Sequence, residues 1–224
     1  MRVVGVDGCR QGWVTISVAL KGAIRADVFE RFSDLMARFK GARVLAVDMP
    51  LGLLEKGCRE ADESARRYLG RRASSVFSAP CEGVLGADTY ESAGSISRRM
   101  TKKGISRQTW ALVPKIRELQ EFAGDGRIHE VHPEVSFRLM NEGSEVSHGK
   151  KTWGGLWQRL ELLASAGVML APDLGAANAV PVDDVVDAAA AAWSALRIAK
   201  GEARSFPDRP VQRSAQGRLV TIAA

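Results

Sequence analysis

The segment RVLAVD at 43–48 constrains this chain more than any other. From Val44 to Val47 it is apolar without alternation, and it ends in an aspartate. A half-exposed strand alternates polar and apolar positions. An unbroken apolar run therefore predicts burial on both faces, as in a parallel sheet covered by helices. A second run, RVVGVD at 2–7, is also β-branched and apolar, and stops at Asp7-Gly8. Paired in parallel, the two strands would put Asp7 and Asp48 at the carboxyl edge, where α/β sheets receive ligands.

The remaining pattern fits such a sheet. Residues 12–20 alternate Trp13, Thr15 and Ser17 against Val14, Ile16 and Val18; Lys21-Gly22 marks a turn, and 23–30 is a third strand candidate. This start reads as antiparallel strands. Ser33 is placed as the N-cap of a helix over 34–40 that Gly41 ends. Residues 50–126 are less regular: a charged helix at 59–69 with Gly70 as C-cap, a loop at 71–83, and a helix at 106–123 in which Pro114 marks a kink or a break. Residues 127–132 read as a strand stopped by Pro133, followed by a short helix over 134–141. Residues 152–166 are amphipathic through Trp153, Leu156, Trp157, Leu160, Leu163 and Ala164. The clearest helix is 183–199, capped by Asp183 or Asp184, filled with alanine and ended by Lys200-Gly201. In the polar, basic tail at about 202–224, RLVTI at 218–222 is a final strand candidate. The order predicts one α/β domain over 1–224, with helices flanking a mixed five-stranded sheet and an insertion at about 50–126.

Composition excludes several classes. No apolar run approaches the roughly 20 residues of a membrane span. The cysteines, Cys9, Cys58 and Cys81, are three and contain no CxxC pair, so neither a disulfide framework nor a zinc site is indicated and the cytoplasm is the expected compartment. No GxxxxGK[ST], GxGxxG or GxSxG motif occurs. The net charge of +6 permits nucleic acid or another phosphorylated partner.

Four groups of residues can carry chemistry. Asp7 and Asp48 each could cap a turn, but two buried carboxylates side by side want a cation or a shared proton. Asp184 and Asp187 share a helix face. Capping explains the first acids of that helix and not Asp187, whose repulsion a divalent cation would relieve. In an extended strand Glu130, His132 and Glu134 share one side. Glu130 or Glu134 could join the acidic cluster, and His132 could carry protons near neutral pH. His129 and His132 fall on opposite faces, against a joint zinc site. Arg10, Arg71, Arg72, Ser75 and Lys115 are candidates to hold phosphate. Arg66 and Arg67 read as a solvated helix face.

Six ordered blocks carry a resemblance: GVDGCRQGWV at 5–14, DMPLGL at 48–53, READESARRYLGRRASSVFSAP at 59–80, QTWALVPKIRELQ at 108–120, EVHPEVSF at 130–137 and DDVVDAAAAAWSA at 183–195. Together they resemble the DUF429 family, described as predicted ribonuclease-H-like nucleases. The resemblance implies a ribonuclease-H-like sheet, three antiparallel strands and then parallel ones. It places Asp7 on the first strand and Asp48 at the end of the fourth. In the wider superfamily, acids at such places join two acids three apart on the last helix, a spacing that Asp184 and Asp187 match. A metal-dependent nuclease would follow, with Asp7, Asp48, Asp184 and Asp187 around Mg²⁺ or Mn²⁺ and Glu130 as an accessory catalytic group. Two alternatives stay open: a nucleotide-binding protein of the actin and sugar-kinase branch, using the Asp7-Gly8 turn on phosphate, and a non-catalytic module for nucleic acid or a phosphoryl ligand. The resemblance names no substrate and no oligomeric state.

Overall fold

In a computed structural model that describes residues 2–19 and 23–224, the first two strands form a hairpin. Strand β1 (Arg2–Cys9) pairs antiparallel with β2 (Gly12–Ala19) through the tight turn Arg10-Gln11. Gly12 has φ +124°, and a Cβ there would lie 2.2 Å from the carbonyl oxygen of Phe29, so only glycine fits. The β1 strand runs through the expected stop at Asp7-Gly8, with Asp7 opposite Val14 and Gly8 opposite Trp13. The Lys21-Gly22 turn lies outside the described residues. Then come β3 (Ile24–Phe29), α1 (Phe32–Arg38), β4 (Val44–Val47), α2 (Glu60–Leu69), α3 (Tyr90–Thr101) and α4 (Arg107–Gln120). The chain continues with β5 (Ile128–Glu130), α5 (Pro133–Met140), α6 (Trp153–Ser165), α7 (Val182–Lys200), β6 (Ser205–Phe206) and β7 (Ile222–Ala223).

The main sheet has the order β3-β2-β1-β4-β5. The β1–β2 and β2–β3 pairs are antiparallel, while β1–β4 and β4–β5 are parallel. This is the expected mixed five-stranded α/β architecture flanked by helices, consistent with a ribonuclease-H-like fold. All four residues of β4 are buried, as its unbroken apolar run requires.

Packing divides into two compact units: Met1–Met49 with Arg127–Arg204 and Ala223–Ala224, and Pro50–Gly126 with Ser205–Ile222. In the first unit α7 lies on one face of the sheet. Ala188 to Ala192 are fully buried there, in one cluster with Val3, Val14, Ile16 and Ala46. At Gly5 an added Cβ would sit 2.0 Å from the Ala192 nitrogen and 2.2 Å from the Ala188 oxygen. Glycine on the strand and alanines on the helix thus let the two backbones touch. Elsewhere in this unit Trp13 and Phe32, both fully buried, meet edge to face with centroids 5.0 Å apart. In the second unit α2, α3 and α4 are joined by irregular segments and two 3₁₀ turns, Gly70–Ser75 and Glu82–Gly86, which overlap the two ends of the stretch 71–83 expected to be loop.

Several local expectations are corrected. Helix α1 begins at Phe32 behind the uncapped Arg31, because burial of Phe32 draws it into the first turn and leaves Ser33 inside the helix. Helix α7 is preceded by Pro181 and has no side-chain cap; Asp183 and Asp184 lie in its first turn, where the helix dipole favours them. In α6 the buried stripe is Gly155, Arg159 and Leu163, while Trp153 and Trp157 are exposed and stack on each other. The close approach sets this face: a Cβ at Gly155 would lie 1.9 Å from the Gly149 oxygen. Pro114 does not break α4, whose Val113, Ile116 and Leu119 are buried on either side of it. Helix α3, unforeseen in the sequence, starts at a reciprocal cap between Thr89 and Ser92. Of residues 218–222 only Ile222 enters a strand. Among the described residues no helix is long and apolar enough to cross a membrane.

Candidate metal centre

Parallel register brings the two strand-end aspartates together. Val6 lies beside Val47, and the amide of Asp48 donates to the Val6 carbonyl at 2.9 Å. Asp7 and Asp48 are therefore the next neighbours in register, and side chains at neighbouring register positions share a face. Gly5, two residues before Asp7, meets α7 on that face. Asp187 precedes Ala188 and lies one turn before Ala191, whose backbones meet Gly5. Three carboxylates from β1, the end of β4 and α7 consequently converge, each with an oxygen within 4.8 Å of the others.

The site is largely buried and short of positive charge. Asp7 is 8% exposed and Asp187 4%, while Asp48 is half-buried. The Gly8 amide donates to Asp7 Oδ1 at 2.7 Å. Lys150 Nζ donates to Asp187 Oδ2 at 2.7 Å, and Oδ1 of Asp187, also buried, has no hydrogen-bond partner among the described residues. Burial, then the charges of Asp48, Asp187 and Asp184, holds the Asp7 carboxyl well above the usual carboxylate range, against the pull of the Gly8 amide. Burial likewise pushes Asp48 up to about 7; Lys150 opposes this, and Glu130, Glu134 and Asp184 add to it. Asp187 is also raised to about 7 by burial, with Asp48 reinforcing and Lys150 opposing. Burial alone would lower Lys150, but the charge and hydrogen bond of Asp187 outweigh it and raise the ammonium above its ordinary value.

One lysine cannot neutralise three carboxylates. A divalent cation can, and the donors are of the right kind: several hard carboxylate oxygens, with neither imidazole nor thiolate in the group. The unpartnered Oδ1 of Asp187 offers a ligand atom without a competing hydrogen bond.

The other expected residues fall elsewhere. Asp184 is half-buried in the first turn of α7 and stands outside the close group, though its charge acts on Asp7 and Asp48. Glu130 pairs in register with Val47, which places it on the opposite face from Asp48; it too acts on Asp48 through charge. The expectation that Glu130, His132 and Glu134 share one strand side is corrected. The strand ends at Glu130, Pro133 opens α5, and Glu134 lies in the first turn of that helix. There Glu134 forms a buried ion pair with Arg159, which also donates to the Gly155 carbonyl at 2.9 Å. His132 is the residue before α5, its carbonyl accepting from the Ser136 amide at 3.1 Å. Arg10 is exposed in the β1–β2 turn. Arg71, Arg72 and Ser75 lie on the Gly70–Ser75 turn of the second unit, Ser75 Oγ donating to the Arg72 carbonyl at 2.8 Å. Lys115 is half-buried on α4 of that unit.

Sequence reasoning missed two cations, Lys150 and Arg159. Arg159 left a signal: with Gly155 and Leu163 it forms a stripe of period four, so a charge sits on the buried face. Lys150 left none, since it lies in an irregular segment where no periodicity assigns a face.

The family model described as "Protein of unknown function (DUF429)" matches residues 5–212. Neither the curated proteins nor the solved structures contain a match to this chain. The match takes in Asp7, Asp48, Asp187 and Lys150 and covers most of the sequence, so the chain belongs to the DUF429 family.

Proposed function

We propose that this protein is a metal-dependent nuclease that hydrolyses phosphodiester bonds in nucleic acid, with Asp7, Asp48 and Asp187 holding Mg²⁺ or Mn²⁺. The observation that carries the reading is the convergence of three carboxylates, two buried and one half-buried, one with an unpartnered oxygen, around a single lysine. When bound there, a divalent ion supplies Lewis acidity towards water and towards a phosphoryl oxygen. Lys150 fixes the position of Asp187 through their ion pair. Asp184 adds negative potential in the first turn of α7, which favours cation entry. The net charge of +6 supports attraction to a polyanion.

The actin and sugar-kinase alternative loses its main feature. Asp7-Gly8 is paired strand, not a turn, and the Gly8 amide already donates to Asp7.

The test is cleavage of a panel of DNA, RNA, hybrid and branched substrates with Mg²⁺, with Mn²⁺ and with EDTA. Divalent-dependent cleavage by the native protein, abolished in Asp7→Asn, is the expected result. A folded protein that binds Mn²⁺ and cleaves none of the panel refutes the nuclease and leaves a non-catalytic binding module.

A further inference from the structure

The second unit contains a cavity of about 290 Å³, near the lower end of small-ligand pockets (about 300–1,000 Å³). It is built from the ends of three helices. Arg59 and Asp62 come from the start of α2, Thr101 and Lys103 from the end of α3, and Ser106 and Thr109 from the start of α4.

Its charge is unbalanced. Arg59, Arg66 and Lys103 line it against a single acid, Asp62. That acid is already satisfied: Oδ1 lies 3.4 Å from Arg59 Nε, and Oδ2 accepts the Ala79 amide at 2.9 Å. Two cations remain in surplus. Arg66 is fixed by its bonds to the Val76 carbonyl and Ser78 Oγ, both 3.0 Å. The ammonium of Lys103 makes no ion pair among the described residues. The N-terminus of the 14-residue helix α4 adds the positive end of its dipole, with the Ser106 hydroxyl capping the Thr109 amide at 3.0 Å. The wall also carries an apolar part, Phe77, Pro80 and Ile105. A rigid arginine, a lysine and a helix N-terminus suit a phosphate dianion, and the apolar wall suits an organic body attached to it.

We infer that this cavity binds a small organic phosphate, a phosphomonoester on a body of about the size of a nucleoside. Every residue that lines the cavity belongs to the second unit, and the inference does not rest on the nuclease reading.

The experiment is calorimetric titration of the full-length protein in EDTA with three probes: adenosine monophosphate, inorganic phosphate and adenosine. The monophosphate should bind more tightly than either fragment. Lys103→Ala should weaken it about tenfold without changing the melting temperature of the ligand-free protein, because the side chain is exposed and makes no ion pair. Arg66→Lys, which keeps the charge and loses the fork, should weaken it too. Monophosphate binding no tighter than that of adenosine, or unchanged in both Lys103→Ala and Arg66→Lys, overturns the assignment. Equal binding of inorganic phosphate overturns the organic part of it.

Discussion

Replacing Asp48 by asparagine should make the metal-free protein more stable and the metal-loaded one less so. In the fold Asp48 titrates near 7 instead of 3.8, a difference of about 4 kcal/mol in favour of the neutral form. At pH 8 that cost is carried in full when no cation is present. Asparagine keeps the shape and removes the charge. Asp48 is half-buried, and the amide brings hydrogen-bonding demands of its own, so about half of the figure should be recovered, about 2 kcal/mol. For a chain of this length that corresponds to a rise of about 4–8 °C in Tm. The native protein should gain about 2.7 kcal/mol from Mn²⁺ at a hundred times its Kd, and the variant most of that less. The assay is thermal unfolding at pH 8 in EDTA and in a Mn²⁺ titration, native and variant side by side. If Asp48→Asn melts below the native protein in EDTA, or gains as much from Mn²⁺, the carboxylates are not in electrostatic conflict and the metal argument fails.

The remaining predictions follow from the same geometry. Asp48 and Asp187 have raised folded pKa values, so their neutral forms stabilise the metal-free fold below about pH 4, and this contribution is lost as pH rises through about 7. In EDTA the Tm should therefore fall between pH 5 and 8, and the increment from Mn²⁺ should be larger at pH 8 than at pH 5; a flat profile would contradict this. Gly5→Ala should cost at least about 3 kcal/mol by denaturant unfolding and abolish the Mn²⁺ increment, since α7 can only move away with Asp187 on it; a variant of native stability would show that the strand and helix do not touch. Glu134→Gln leaves Arg159 buried without its counter-charge and should cost about 3–5 kcal/mol, whereas Glu134→Gln combined with Arg159→Met should recover part of that loss.

The sheet was legible because its signals are local. An unbroken apolar run, an alternating hairpin and an alanine-rich helix each announce their surroundings over four to twenty residues. Asp7, Asp48 and Asp187 were legible for the same reason, as charges at strand ends and in a helix turn where a role at the helix start leaves Asp187 unexplained. What escaped depends on contacts distant in sequence. Lys150 reaches Asp187 from an irregular loop, and Glu134 belongs to Arg159 rather than to the acid group because Pro133 starts a helix one residue before it. The tryptophans of α6 misled because aromatic bulk suggests burial, while the buried stripe there is set by how closely Gly155 must approach Gly149. Helix α3 escaped because few of its residues are apolar and its cap uses serine where glutamate is the usual signal.

The first unit is assembled from stretches of chain that the second interrupts. Asp7 leaves the ribosome about 180 residues ahead of Asp187, which at about 5–20 residues per second is a wait of about 10–40 s. Throughout that interval the surface of β1 around Gly5 has no α7 to cover it, and the nascent polypeptide lacks one of the three converging carboxylates. The three carboxylates can therefore meet only after residue 187 has been made, and a polypeptide ending before residue 182 would lack the acid that α7 contributes.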